Sequence, residues 1–217
     1  LVSQASCMNQ RLLDYVEQIE TSMLQFANAP LSVLALACTG SSYLMGRDQE
    51  SQWVHAWQTR LKIPVITAGR AVAAALHALG VRRLDLLSPY PSDLTQASVA
   101  YWISHGFEMG TVQAVNASDP GFHAIYTTSS ESANSAAHAL RASSADAVLM
   151  LGTGMPSLKT LLMQREQAGP PWLSSMLALM WQSISAIPQT SPEPSDLQTW
   201  LTARHWAHRA QVMGIAH

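Results

Sequence analysis

A cysteine directly after an apolar run is the most reactive feature of this 217-residue sequence. Cys38 follows Leu31 to Ala37 and opens the turn Cys38-Thr39-Gly40-Ser41-Ser42, after which a polar helical pattern runs to about Arg60. At such a helix start the dipole and unpaired backbone N–H groups stabilise a thiolate, the form in which cysteine attacks carbon. The same position suits cysteine as a small core residue, so position alone leaves both readings open. Cys7 has no comparable setting and reads as structural or incidental.

Tyr90 sits between Pro89 and Pro91, which stiffen its loop, so its hydroxyl could be held toward a carboxylate or act as an acid. The turn Gly152-Thr153-Gly154 follows a second apolar run, Ala145 to Leu151. It lacks the third glycine and the later acid of a dinucleotide fingerprint, so no such cofactor is expected. The eight histidines show no zinc spacing, and no Walker pattern occurs. Neither a metal nor a cofactor is predicted. His77, His105 and His138 read as surface or packing residues on helices, and His123 is the histidine whose loop could approach a site. Arg82 and Arg83 read as a solvated strand edge, and Trp53, Trp57 and Trp102 as packing residues on helices.

The elements that must carry these groups read as repeated strand, small-residue turn and helix, the signature of an α/β protein with parallel strands. The expected strands are Leu31 to Ala37, Ile63 to Thr67, Arg83 to Leu87, Met109 to Val115, Ala145 to Leu151 and Pro171 to Leu173. A helix from Arg70 stops at Gly80, and another, capped by Ser92 or Asp93, stops at Gly106. Pro156 suits the first turn of a helix. Leu177, Met180, Trp181 and Ile184 share one helical face, and a final helix spans Asp196 to Val212. Ligands in such sheets bind beyond the carboxyl ends of the strands, so the Thr39 and Thr153 turns are candidate carboxylate sites with Gly40, Ser41, Gly152 and Gly154.

Composition limits the partners. Only 12% of residues are charged and the formal charge is −2, which offers no footprint for nucleic acid. The uncharged run from Ala168 to Pro192 contains prolines, Gln182 and several serines, and reads as a buried strand and helix rather than a membrane span. Two cysteines in a chain of this size point to a reducing, cytoplasmic setting, and no basic region followed by an apolar stretch marks an export signal. Sparse charge is consistent with surface covered in a homodimer.

Three stretches together resemble the aspartate/glutamate racemase superfamily, and within it the branch of maleate cis-trans isomerases and arylmalonate decarboxylases. They are Ala37-Cys38-Thr39-Gly40-Ser41, then Leu79-Gly80-Val81-Arg82-Arg83 with Ser88-Pro89-Tyr90, and Asp146 to Met150 before the Gly152 turn. Pro171-Trp172-Leu173-Ser174-Ser175 with Trp181 resembles that branch's last strand and helix. The resemblance covers about two-thirds of the chain, from Leu31 to Trp181, and nothing before Leu31 matches the amino-terminal strand and asparagine-bearing turn of the isomerases. It implies two pseudo-symmetric α/β lobes, residues 1–80 joined by helices in 176–217 and residues 81–175, with the active site in the cleft and usually a dimer. It also implies that Cys38 is the first-lobe cysteine, Thr39 its neighbouring hydroxyl and Tyr90 a substrate contact.

Where the resemblance implies a second cysteine, this sequence has Gly152 followed by Thr153. A threonine hydroxyl is far too weak an acid to replace a thiol, so two-thiol racemisation is disfavoured. Two single-thiol routes on a small carboxylate or dicarboxylate remain: thiolate addition to a maleate-like double bond, rotation and elimination, or decarboxylation of a malonate-type acid with proton delivery by Cys38. Arylmalonate decarboxylases resemble the mirror arrangement, with their thiol in the second lobe, so decarboxylation here implies product of opposite handedness. Loss of the second thiol also fits a non-catalytic carboxylate-binding protein.

Overall fold

In the computed structural model, residues 3–26, 28–116, 124–165, 167–187, 194–201 and 212–214 are described. Helix α1 (Met8–Leu24) precedes strand β1 (Leu34–Leu36), helix α2 (Thr39–Leu61), strand β2 (Val65–Thr67) and helix α3 (Ala68–Ala78). Strand β3 (Arg83–Ser88), helix α4 (Ser92–Ser104) and strand β4 (Glu108–Ala114) follow. Helix α5 (Ser130–Ala137), strand β5 (Ala147–Met150), helix α6 (Leu158–Gln164), strand β6 (Trp172–Ser174), helix α7 (Ser175–Ser185) and helix α8 (Pro194–Leu201) complete the order.

The strands form two parallel sheets. β1 pairs with β2, with Ala35 opposite Ile66, and the larger sheet runs β4-β3-β5-β6, with Leu86 opposite Leu149 and Leu149 opposite Leu173. β3 and β5 are central and read as unbroken apolar runs because both faces are covered; Leu84, Leu86, Leu87 and all of β5 are fully buried. Asp85 is the buried carboxylate within β3, and it accepts from the Thr111 backbone N–H at 2.6 Å and from Ser143 Oγ at 2.6 Å. Gly110 leaves the room this carboxylate occupies. α3 packs on α7 and α2 on α4, so helices join the two sheets. No helix among the described residues is long and apolar enough to cross a membrane.

Each of the six expected strands is present: β1, β2 and β5 are shorter than expected, β3 runs one residue further to Ser88, β4 begins and ends one residue earlier, and β6 begins and ends one residue later. Several local expectations are corrected. Pro91, not Ser92 or Asp93, takes the N-cap position of α4, and Asp93 instead accepts from Asn9 Nδ2 at 2.9 Å. Pro156 lies ahead of α6, which begins only at Leu158, so the Thr153 turn does not open a helix and gains no dipole from one. α2 is interrupted at Gly46, whose φ of 71° is left-handed backbone that glycine accepts without penalty. On α7, Leu177 and Trp181 are buried while Met180 and Ile184 are exposed, because the core touches only part of that face. The final helix is described only as Pro194–Leu201; its expected continuation to Val212 lies mostly outside the described residues.

α1 and α5 were not anticipated. Residues 3–26 hold no amino-terminal strand; α1 lies there instead and packs on α2.

Candidate active site

The turns that follow β1, β3 and β5 converge, although β1 belongs to one sheet and β3 and β5 to the other. Thr39 and Tyr90 share a hydroxyl–hydroxyl hydrogen bond of 2.7 Å, and Thr153 Oγ1 donates to the Ala37 carbonyl at 2.8 Å. These two contacts tie the sheets together at their carboxyl ends. Between them lies a cavity of about 390 Å³, lined by Cys38, Thr39, Gly40, Tyr90, Thr153 and Gly154, by Ile125 and Tyr126, and by Met8, Arg11, Leu12 and Tyr15 of α1. That volume suits a small organic acid.

Cys38 is a free thiol at the N-cap of α2, in extended backbone with φ −145° and ψ 95°. It is half-buried and opens onto the cavity rather than into the core. Ser41 Oγ lies 3.2 Å from Cys38 Sγ as donor, a contact that orients the sulfur at the start of α2. Cys7 is exposed and stands at the N-cap of α1 without making a capping bond.

Tyr90 keeps part of its ring exposed, but its hydroxyl end is enclosed. Desolvation pushes the phenol well above its ordinary pKa; the Thr39 bond opposes this, while Cys38 and Tyr126 disfavour a nearby phenolate. Tyr90 therefore stays protonated across the working range and acts as a hydrogen-bonding group, not as a ready proton source. Tyr43, buried behind it, meets the Tyr90 ring edge-on at 6.1 Å and Trp102 at 5.6 Å, which fixes the loop from beneath.

Two expected site residues lie off the cavity wall. Ser41 is buried, with its hydroxyl turned to Cys38 and 3.4 Å from the Leu12 carbonyl. Gly152 is buried behind the wall at a φ of +86°; a Cβ there would stand 2.6 Å from Ile125 Cδ1, 3.2 Å from Pro89 Cγ and 3.2 Å from the Tyr90 hydroxyl. Ile125 and Tyr90 thus occupy the space a side chain at Gly152 would need. Thr153 spends its hydroxyl on the Ala37 carbonyl.

The other candidates lie elsewhere. Trp102 is fully buried in the core, and the rings of Trp53 and Trp57 meet at a tilt of 53° with centroids 6.1 Å apart, outside the cavity. His77 packs on Phe107, His105 on Tyr101, and His138 is exposed. Arg82 and Arg83 are exposed, their backbone N–H groups bound by Asp146. His123 lies outside the described residues. Sequence reasoning missed the α1 wall and Ile125 with Tyr126. For α1 a signal existed: Met8, Leu12, Tyr15 and Ile19 recur at helical spacing, and Arg11 is a cation on that stripe.

Fold and cavity together define an α/β protein with a lone thiol facing a small cleft at the meeting point of two parallel sheets. The profile of the arylmalonate decarboxylase family matches residues 5–196, and the chain belongs to this family. A maleate isomerase of Pseudomonas putida (strain KT2440) is 30% identical over 101 residues, which are 44% of this chain and 40% of that protein's length. A cysteine-to-serine variant of the Nocardia farcinica maleate cis-trans isomerase, with a covalently bound succinylcysteine intermediate, is similar with a TM-score of 0.74 at 25% identity, covering 82% of this chain and 74% of that one. A variant of the maleate isomerase Iso from Pseudomonas putida S16 with maleate gives 0.75 at 23% identity (82% and 73%), and arylmalonate decarboxylase gives 0.71 at 20% (80% and 76%). The last two establish likeness of fold.

Proposed function

We propose that the protein is a cofactor-independent isomerase of a small unsaturated dicarboxylate, with Cys38 as its single nucleophile. The observation that carries the reading is the half-buried Cys38 thiol, opening onto a cavity of about 390 Å³ with Ser41 Oγ 3.2 Å from its sulfur. The likeness to an isomerase holding a succinylcysteine supports the same chemistry. Substrate sits between two lobes, residues 1–80 with 176–217 and residues 81–175.

In the proposed reaction the Cys38 thiolate adds to one alkene carbon of the cis acid. The S–C bond forms, the π bond breaks, and its electron pair moves onto the neighbouring carbon and the carboxylate attached to it. The carbon–carbon bond is then single and rotates; the returning pair rebuilds the double bond and expels the thiolate, leaving the trans acid. No net proton is gained or lost, so the route does not require a second thiol. Thr39, Tyr90 and the backbone at Gly40 and Gly154 hold the carboxylate on which charge accumulates, donating without surrendering a proton.

Decarboxylation of a malonate-type acid is the second reading, favoured by the family profile spanning residues 5–196. The two are separated by incubating the protein with maleate and with substituted malonates. Conversion of maleate to fumarate, followed by proton NMR and abolished by Cys38→Ser, supports isomerisation. Carbon dioxide release from malonates without fumarate formation overturns it, and binding without either reaction points to a carboxylate-binding protein.

A further inference from the structure

We infer that Arg11, on a helix for which no role was expected, binds the second carboxylate and makes the site selective for dianions. The inference rests on the reading of Cys38 as facing the substrate. Arg11 is only 5% exposed, yet it lines the cavity, and among the described lining residues it is the one charged side chain. A guanidinium largely withdrawn from bulk solvent, on the wall of the cavity that Cys38, Thr39 and Tyr90 also line, brings a cation to the site.

Its position follows from tight packing of α1 on the start of α2. Gly40 has no side chain, and an ideal Cβ there would stand 2.7 Å from Leu12 Cδ1, so Leu12 seats directly on the turn that carries Cys38. Ser41 Oγ reaches the Leu12 carbonyl at 3.4 Å while it also contacts Cys38 Sγ. Arg11, adjacent to Leu12 on the same helix, is thereby registered against the thiol turn. Met8, Leu12 and Tyr15 supply the apolar wall around it.

A monocarboxylate could be satisfied by the Thr39 turn and the Tyr90 hydroxyl alone. A dicarboxylate must also bring its second charge out of water, which is unfavourable without a cation, and Arg11 is the charged group on the described cavity wall that can meet it. The site therefore discriminates between acids by charge count as well as by size.

The test uses full-length protein carrying Cys7→Ser, so that Cys38 is the reporting thiol. Its alkylation rate is measured with iodoacetate and with uncharged iodoacetamide, in that background and with Arg11→Gln or Arg11→Lys added. The iodoacetate-to-iodoacetamide ratio should fall on the order of tenfold in Arg11→Gln and be largely kept in Arg11→Lys. Maleate should protect Cys38 at lower concentration than the monoanion cis-crotonate, and Arg11→Gln should remove most of that difference. If Arg11→Gln does not fold, Arg11→Met, which keeps the apolar stem, takes its place. An unchanged ratio in the folded neutral variant, or equal loss with lysine, overturns the assignment. Absence of fumarate formation alongside a fallen ratio would defeat the isomerase reading and leave the anion site standing.

Discussion

Replacing Gly152 with alanine tests whether the turn after β5 is closed to a side chain. Its φ of +86° is left-handed, which costs a non-glycine residue roughly 1–2 kcal/mol. The new Cβ would stand 2.6 Å from Ile125 Cδ1. Because that atom is the end of a flexible chain, Ile125 can turn away, at about 0.5–1.5 kcal/mol for an off-rotamer side chain. Pro89 Cγ and the Tyr90 hydroxyl, both at 3.2 Å, must also yield slightly, and the proline ring cannot rotate out of the way. The sum is a loss of about 1.5–3.5 kcal/mol, a large share of a typical domain's stability of about 5–15 kcal/mol. Urea unfolding of the parent, Gly152→Ala, Ile125→Ala and the double variant measures it. Relief of the Ile125 contact should make the double variant more stable than the sum of the singles by about 0.5–1.5 kcal/mol, leaving the backbone component in place. A loss under about 0.5 kcal/mol for Gly152→Ala, or strict additivity, would refute the steric and conformational argument.

Three further outcomes follow from the geometry. Tyr90→Phe removes the 2.7 Å bond to buried Thr39 and should cost about 1 kcal/mol in urea unfolding, with roughly a tenfold fall in kcat for maleate. Tyr101→Phe strips the fully buried Glu50 of the hydroxyl that donates to it at 2.5 Å, for a loss of about 1–3 kcal/mol that Glu50→Gln in the same background should partly restore. Burial, with Arg47, His77 and Arg70 adding repulsion, lowers the pKa of His105 to about 4, so the fold favours its neutral ring. Its contribution is complete above the unfolded value of about 6.5 and is lost as pH falls toward 4, so His105→Asn should flatten the stability profile between pH ~6.5 and ~4.

Much of the framework was legible because parallel strands buried on both faces leave uninterrupted apolar runs, as β3 and β5 do, and because the turns after them are rich in small residues. The helices missed lacked those marks. α1 begins at Cys7, which makes no capping bond, and α5 is a serine–alanine segment whose buried side chains are only Ala133 and Ala137. α5 is started by Ser129, whose hydroxyl accepts from the Ser132 N–H at 3.0 Å, but no apolar stripe follows it. At the site, Cys38, Thr39 and Tyr90 were legible as groups at strand ends. That Tyr90 would bond Thr39, that Thr153 would hold Ala37, and that Ile125 would stand against Gly152 depend on how two sheets meet, which local pattern does not encode. Arg11 was hidden for a related reason: a charged residue in a helix is ordinarily solvated, and the burial of this one depends on tertiary packing around α1.

The central claim, a covalent route through one sulfur, is tested most directly by mass spectrometry of Cys7→Ser protein quenched in acid during reaction with maleate. A mass gain of one maleic acid, mapped to the peptide containing Cys38 and absent in Cys38→Ser, is the expected result. Conversion of maleate that persists undiminished in Cys38→Ser would contradict it.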